Sequence, residues 1–182
     1  MHELSRSNPA KVIDALTERC AFEHEGVKLY DAILQKMKRS GDPEVTAMLD
    51  TVREYRDQEK DHEEWLEEQI RALGGDPHVS TERTRLIETE TEGIEKVVLN
   101  GSNRIPDLFH ALLAAELQDN AGWDLLVHLA EDAADHKAER AFRKFLHEEE
   151  EHLDFVRRVV RGYFEDEILG RPAQTAPMYV LP

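Results

Sequence analysis

Apolar residues recur at alternating steps of three and four in four separate stretches of the chain, the period of helices that bury one face. The first stripe runs Ile13, Leu16, Cys20, position 23, Val27, Tyr30, Leu34, Met37. The second runs Val45, Met48, Val52, Tyr55, positions 59 and 62, then Leu66, Ile70 and Leu73. The third is Phe109, Leu112, positions 116 and 119, Trp123, Leu126, Ala130. The fourth is Ala138, Phe142, Phe145, positions 149 and 152, Val156, Val159, Tyr163.

Local signals set most helix ends. Asn8-Pro9 and Asp42-Pro43 each place a capping side chain before a proline at the first helical position, and Ser40-Gly41 and Gly74-Gly75 are stops. Pro106-Asp107 opens the third helix. Between the second and third stripes, Glu82 to Leu99 fits a shorter helix interrupted by Gly93. No Gly or Pro separates the third stripe from the fourth. A continuous helix would put residues 116 and 149 about 50 Å apart at 1.5 Å per residue. For them to face each other the chain must reverse near residue 134, where Asp135 can cap a new helix. The predicted fold is all-α: a four-helix bundle of two antiparallel helical hairpins over residues 1–169, with a long crossover between the second and third helices. Residues 170–182 read as a proline-broken C-terminal tail.

Each stripe is broken by polar residues at inward positions. They are Glu23 in the first, Glu59 and His62 in the second, Glu116 and Asp119 in the third, Glu149 and His152 in the fourth. Two helices thus carry Glu-x-x-His, with both side chains on one face. In the acidic run Glu148-Glu149-Glu150-Glu151, helical phase turns Glu149 inward and leaves Glu148, Glu150 and Glu151 to solvent. Hard carboxylate oxygens that can bridge, with imidazole nitrogens at the outer positions, suit two divalent cations held a few Å apart. Four carboxylates carry a charge that two divalent cations cancel. Empty, such a cluster buries like charges, each costing several kcal/mol against a total stability of roughly 5–15 kcal/mol.

Composition narrows the classes. Net charge is −16 over 182 residues, which disfavours nucleic acid and anionic membranes as partners. The single cysteine, Cys20, lies on a stripe and is expected to be a packing residue; no Cys-x-x-Cys pair is present. The longest apolar run, Ala111 to Ala115, is too short to span a bilayer, and the first residues lack a signal-peptide pattern. A cytoplasmic location is expected. The other histidines, His2, His24, His78, His110, His128, His136 and His147, lie off the stripes and are expected at the surface.

A Glu from each of two helices and a Glu-x-x-His from each of two others is the arrangement of dinuclear carboxylate bundles. Ala21-Phe22-Glu23 with Tyr30, Gln58-Glu59-Lys60-Asp61-His62, Ala115-Glu116-Leu117-Gln118-Asp119 and Glu149-Glu150-Glu151-His152 resemble the ferritin-like superfamily over roughly residues 10 to 165, most of all the erythrin core of rubrerythrins. Asp119-Asn120-Ala121-Gly122-Trp123 is similar to a motif of a bacterial ferritin-like subgroup. The resemblance implies that Glu23, Glu59, Glu116 and Glu149 are carboxylate ligands and His62 and His152 nitrogen ligands. Rubrerythrins carry a further Glu where this chain has Asp119, one methylene shorter, a direct or water-mediated ligand. Tyr30 is a candidate redox or hydrogen-bonding residue. The implied cofactor is a pair of metal ions, iron or manganese, and the implied activity an oxidase or peroxidase acting on O2 or H2O2. Without a four-cysteine domain in the sequence, the reductant would be external. An iron-storage ferroxidase subunit and a non-enzymatic ferritin-like scaffold are the alternatives, and a homodimer is the expected assembly.

Overall fold

The computed structural model describes residues 1–170. Helix α1 spans Pro9–Ser40, α2 Pro43–Ala47, α3 Leu49–Ala72, α4 Glu82–Glu95, α5 Ile105–Asp132 and α6 His136–Leu169, and there is no strand among the described residues. The predicted all-α bundle is what forms. The tail assigned to 170–182 lies, beyond Gly170, outside the described residues.

α1 packs along α3 and α5 along α6, while α3 meets α6 and α1 meets α5, which closes a four-helix ring. Cross-helix pairs give the directions. Asp31 meets Arg56 and His24 meets Glu63, so α1 and α3 are antiparallel. Gln58 meets His152 and His62 meets Glu148, so α3 and α6 are antiparallel as well. α3 and α5 must then run the same way, and the crossover has to return along the bundle; α4 does so against α1 and α5.

The ends follow local chemistry. The Asn8 side chain accepts from Lys11 N, that of Asp42 from Glu44 N, and Gly41 takes the left-handed conformation (φ 69°) that stops α1. The second hairpin reverses at the predicted place. Ala134 sits at φ 55°, and Asp135 caps α6 by accepting from Ala138 N. Its other oxygen accepts from the backbone N–H of Glu3 and Leu4 and meets the terminal amine, so one side chain ties the start of the chain to this turn.

Two boundaries differ from expectation. The second helix is broken at Met48, whose N–H bonds back to Val45 O in a tightened turn while Thr46 Oγ1 donates to Asp42 O. In the crossover, Gly93 does not interrupt α4. The change comes at Lys96, where the backbone widens into a π-helical turn, Lys96–Gly101, whose carbonyl end accepts from Lys36 of α1.

Inside the bundle the apolar stripes form two clusters. One contains Tyr30, Ile33, Met37, Val52, Phe109, Phe155 and Val156, the other Leu16, Leu66, Ile70, Trp123, Phe142 and Phe145. Burying each such side chain stabilises the fold by about 1.5–3 kcal/mol. What separates the two clusters is a polar layer.

Candidate metal centre

That layer consists of the residues that interrupt the stripes. Glu23 arrives from α1, Glu59 and His62 from α3, Glu116 and Asp119 from α5, Glu149 and His152 from α6, and all seven are buried, none more than 2% exposed. Helical period alone brings them there: each occupies a stripe position at the middle of its helix, and both hairpins reverse midway between their acids.

Glu149 is at the centre. Its Oε1 lies 2.9 Å from His62 Nδ1, and its Oε2 lies 3.1 Å from His152 Nδ1. Glu23 Oε2 is 3.5 Å from His62 Nδ1; Glu59 Oε1 and Glu116 Oε2 are 3.4 and 3.8 Å from His152 Nδ1. Donor atoms therefore gather in two groups, Glu23/His62/Glu149 and Glu59/Glu116/Glu149/His152, each with one atom per residue within 4.8 Å of the others. Glu149 belongs to both. Asp119 joins a third grouping with Glu23, Glu59 and Glu149.

The donor atoms fit a pair of cations. Glu23 Oε2, both oxygens of Glu149, Glu59 Oε2, Glu116 Oε2 and the Nδ1 atoms of His62 and His152 are buried with no hydrogen-bond partner outside the layer, only their close contacts with one another, whereas Glu23 Oε1 and Asp119 Oδ1 face Arg19. Buried polar atoms in folded proteins are normally paired, so a concentration of donor atoms with no partner but one another calls for another ligand. Oxygen-rich sets completed by one imidazole suit divalent first-row ions such as iron and manganese. The cluster is compatible with metal binding.

The outer atoms of the same residues are held. His62 Nε2–H donates to Glu148 Oε2 at 3.0 Å, and His152 Nε2–H donates to Gln58 Oε1 at 2.7 Å. Each anchor immediately precedes the Glu of one Glu-x-x-His and grips the histidine of the other. The bond leaves Nδ1 of both rings to face the centre. Tyr30 Oη–H donates to Glu116 Oε1 at 2.6 Å, leaving Oε2 turned inward. Gly26 makes room: a Cβ there would stand 2.6 Å from Glu59 Oε2. The aromatic rings are edge-on, Tyr30 against His152 at 6.2 Å and Trp123 against His62 at 5.6 Å.

The proton affinities show a layer starved of positive charge. Burial, then the charge of Glu149 and the other acids, pushes Glu59 well above the usual carboxylate range. Burial raises Glu116 to about 7 although His152 pulls the other way. Asp119 is raised by burial despite Arg19. Burial would also raise Glu149, but His152 and His62 outweigh it and hold it at about 2. Burial by itself lowers both imidazoles; the surrounding carboxylates reverse the sign and raise them. Groups shifted up in this way would have to give up their protons for a metal to enter.

Several residues of the layer lie outside the interrupted stripes. Glu148 corrects an expectation: it does not simply face solvent, because its side chain is only 19% exposed and bonds His62. Glu150 and Glu151 are exposed as expected. Gln58 occupies the same place in the other motif and bonds His152. Arg19 is 7% exposed, with Nε 3.0 Å from Glu23 Oε1 and Nη2 3.5 Å from Asp119 Oδ1. Its spacing of four before Glu23 put it on the inward face, but arginine is so rarely buried that the pattern reads as polar. The seven histidines expected at the surface are exposed, and Cys20 is buried with its thiol pushed up to about 12 by burial.

No curated protein and no solved structure matches the chain. The family model described as Ferritin-like domain matches residues 13–162, from the first turns of α1 to near the end of α6, and so includes every residue of the buried layer. With four of its helices closed in a ring around that layer, the chain belongs to the ferritin-like domain family.

Proposed function

We propose that the chain is a dinuclear metal oxidoreductase, with iron or else manganese as the metal and O2 or H2O2 as the oxidant. The observation that carries this reading is the set of buried donor atoms, two imidazole nitrogens and oxygens of four glutamates, gathered within 4.8 Å in overlapping groups with no partner outside the layer. In it, Glu23, Glu59, Glu116, Glu149, His62 and His152 would hold the metals, Glu149 being shared between the two donor groups. A bound metal pair would supply the electrons for reducing the oxidant and Lewis acidity toward its oxygen atoms.

The chain's own residues define the rest. Gln58 and Glu148 keep each imidazole in the tautomer that offers Nδ1. Burial together with Glu116 raises the Tyr30 phenol well above its ordinary value, so it stays protonated and acts as a hydrogen-bond donor that orients Glu116. The apolar clusters on either side exclude bulk water from the layer. The electrons come from an external reductant.

Stopped-flow mixing of ferrous-loaded protein with O2 and with H2O2 tests the reading. Oxidant consumption with an absorbance transient is the expected result; neither with metal-replete protein would overturn it. Light scattering addresses assembly: a homodimer mass is expected, whereas a large shell would favour iron storage.

A further inference from the structure

The Asp119-Asn120-Ala121-Gly122-Trp123 segment has no explanation in ligand geometry alone. Helical phase puts Asp119, Gly122 and Trp123 on the same side of α5, one turn apart. Trp123 packs its edge on His62. The role of the other two becomes visible from α1. The Arg19 guanidinium lies between the helices, 4.2 Å over the Phe22 ring, its Nη1 donating to Asp119 O at 3.4 Å. Its remaining nitrogens meet Glu23 and Asp119. A Cβ at Gly122 would stand 1.9 Å from Nη1 and 3.0 Å from Cζ. No side chain, not even a methyl group, fits at 122 while the guanidinium is in place.

We propose that Asp119 and Gly122 form a receptacle for Arg19, and that Arg19 is a positioning residue which anchors Asp119 and the outer oxygen of Glu23 instead of leaving Asp119 to bind metal. The inference rests on the metal-binding reading of the centre. Charge supports it. The layer contains five carboxylates, Glu23, Glu59, Glu116, Asp119 and Glu149, with one guanidinium. Together they leave four negative charges when ionised, which two divalent cations cancel. Without Arg19 the Glu23 and Asp119 oxygens that it meets at 3.0 and 3.5 Å would face no cation in a dry interior, where removing one partner of a buried pair is strongly destabilising. Asp119, with a short side chain and a guanidinium beside it, anchors a cation that the protein itself supplies. Glu23 then offers its other oxygen toward His62.

The sign of a glycine substitution separates this from a passive role. In an ordinary helix interior, replacing glycine by alanine stabilises. Gly122→Ala should instead lower the melting temperature of the chelator-treated protein, because it expels the guanidinium without altering any charge. Arg19→Met, which keeps the stem over Phe22, should lower it by about 10 °C, the scale expected when a buried pair is broken in a chain of this size. Arg19→Met/Asp119→Asn should recover most of that loss. Mn(II) titration of Asp119→Asn should still reach the wild-type stoichiometry. A melting temperature raised by Gly122→Ala, strictly additive effects of Arg19→Met and Asp119→Asn, or loss of one Mn(II) in Asp119→Asn would each overturn the proposal. Should Arg19→Met fail to fold, Gly122→Ala and Asp119→Asn still decide it. Wild-type protein that takes up no Mn(II) or Fe(II) would defeat the metal reading instead, a result distinct from the chelated melts.

Discussion

The two sides of the buried layer are supplied by equivalent backbone and finished by different chemistry. Each side has one histidine from a Glu-x-x-His, one glutamate from the partner hairpin and an aromatic edge. On the His62 side the surroundings are ionic: Glu148 holds the imidazole, and Arg19 meets Glu23 and Asp119. On the His152 side they are neutral: the Gln58 carboxamide holds the imidazole, and the Tyr30 hydroxyl holds Glu116. Even the aromatics divide this way, since Tyr30 uses its hydroxyl while Trp123 Nε1 is buried without a hydrogen-bond partner. A carboxylate behind an imidazole raises its basicity as a ligand more than a carboxamide does. Symmetry of the fold therefore supplies two donor groups, while the residues around them make the two unequal.

The strongest test of the shared centre is Glu149→Ala. Because Glu149 touches both histidines, its loss should cut metal content below one ion per chain in elemental analysis, while Glu151→Ala leaves it unchanged. Equal losses from the two substitutions would mean the helical phase of α6 is misassigned. Next comes the inequality itself. Stepwise Mn(II) titration should resolve a tighter and a weaker ion, and Glu148→Gln should weaken the tighter one by about 10-fold or more, in the range seen when such outer hydrogen bonds are removed. A titration indifferent to Glu148→Gln would show that the carboxylate behind His62 does not distinguish the sides.

On the neutral side, Tyr30→Phe leaves one Glu116 oxygen without its donor. It should cost about 1.5–3 kcal/mol in urea unfolding, the value of a hydrogen bond to a charged group, with metal content retained. The smallest effect concerns the hairpins that carry the two sides. The first turns on Gly41-Asp42-Pro43; the second depends on Asp135, whose carboxyl is held at about 2 by the backbone N–H of Ala138 and Leu4 and by the terminal amine, against the opposing effect of burial. Its folded value lies below the ordinary 3.8, so its contribution is complete above that pH and disappears as pH falls through about 2. Asp135→Ala should cost about 1–2 kcal/mol at neutral pH, as caps do, and the gap to wild type should narrow in acid. A gap independent of pH would assign the cost to packing.

Much of the layer was legible because helical period is a strong signal. An acid on an otherwise apolar stripe is conspicuous, so Glu23, Glu59, Glu116 and Glu149 could be picked out of 39 acidic residues by phase alone. The reversal at Ala133 to Asp135 could be placed without a glycine because the two helices must bring their acids level across the turn. The break at Met48 was hidden because both of its helices keep one stripe. The π-helical turn was hidden because it is held by Lys36, a residue 60 positions away from Lys96.

The sequence by itself determined that four amphipathic helices bury a carboxylate and histidine layer, since burial of a face and the period of 3.6 residues are local properties. Only the tertiary structure decided which residues stand behind that layer. Arg19, Gln58, Glu148, Gly26 and Gly122 act through neighbours on other helices, and whether a polar side chain points at solvent or at a buried partner depends on what the opposite helix presents.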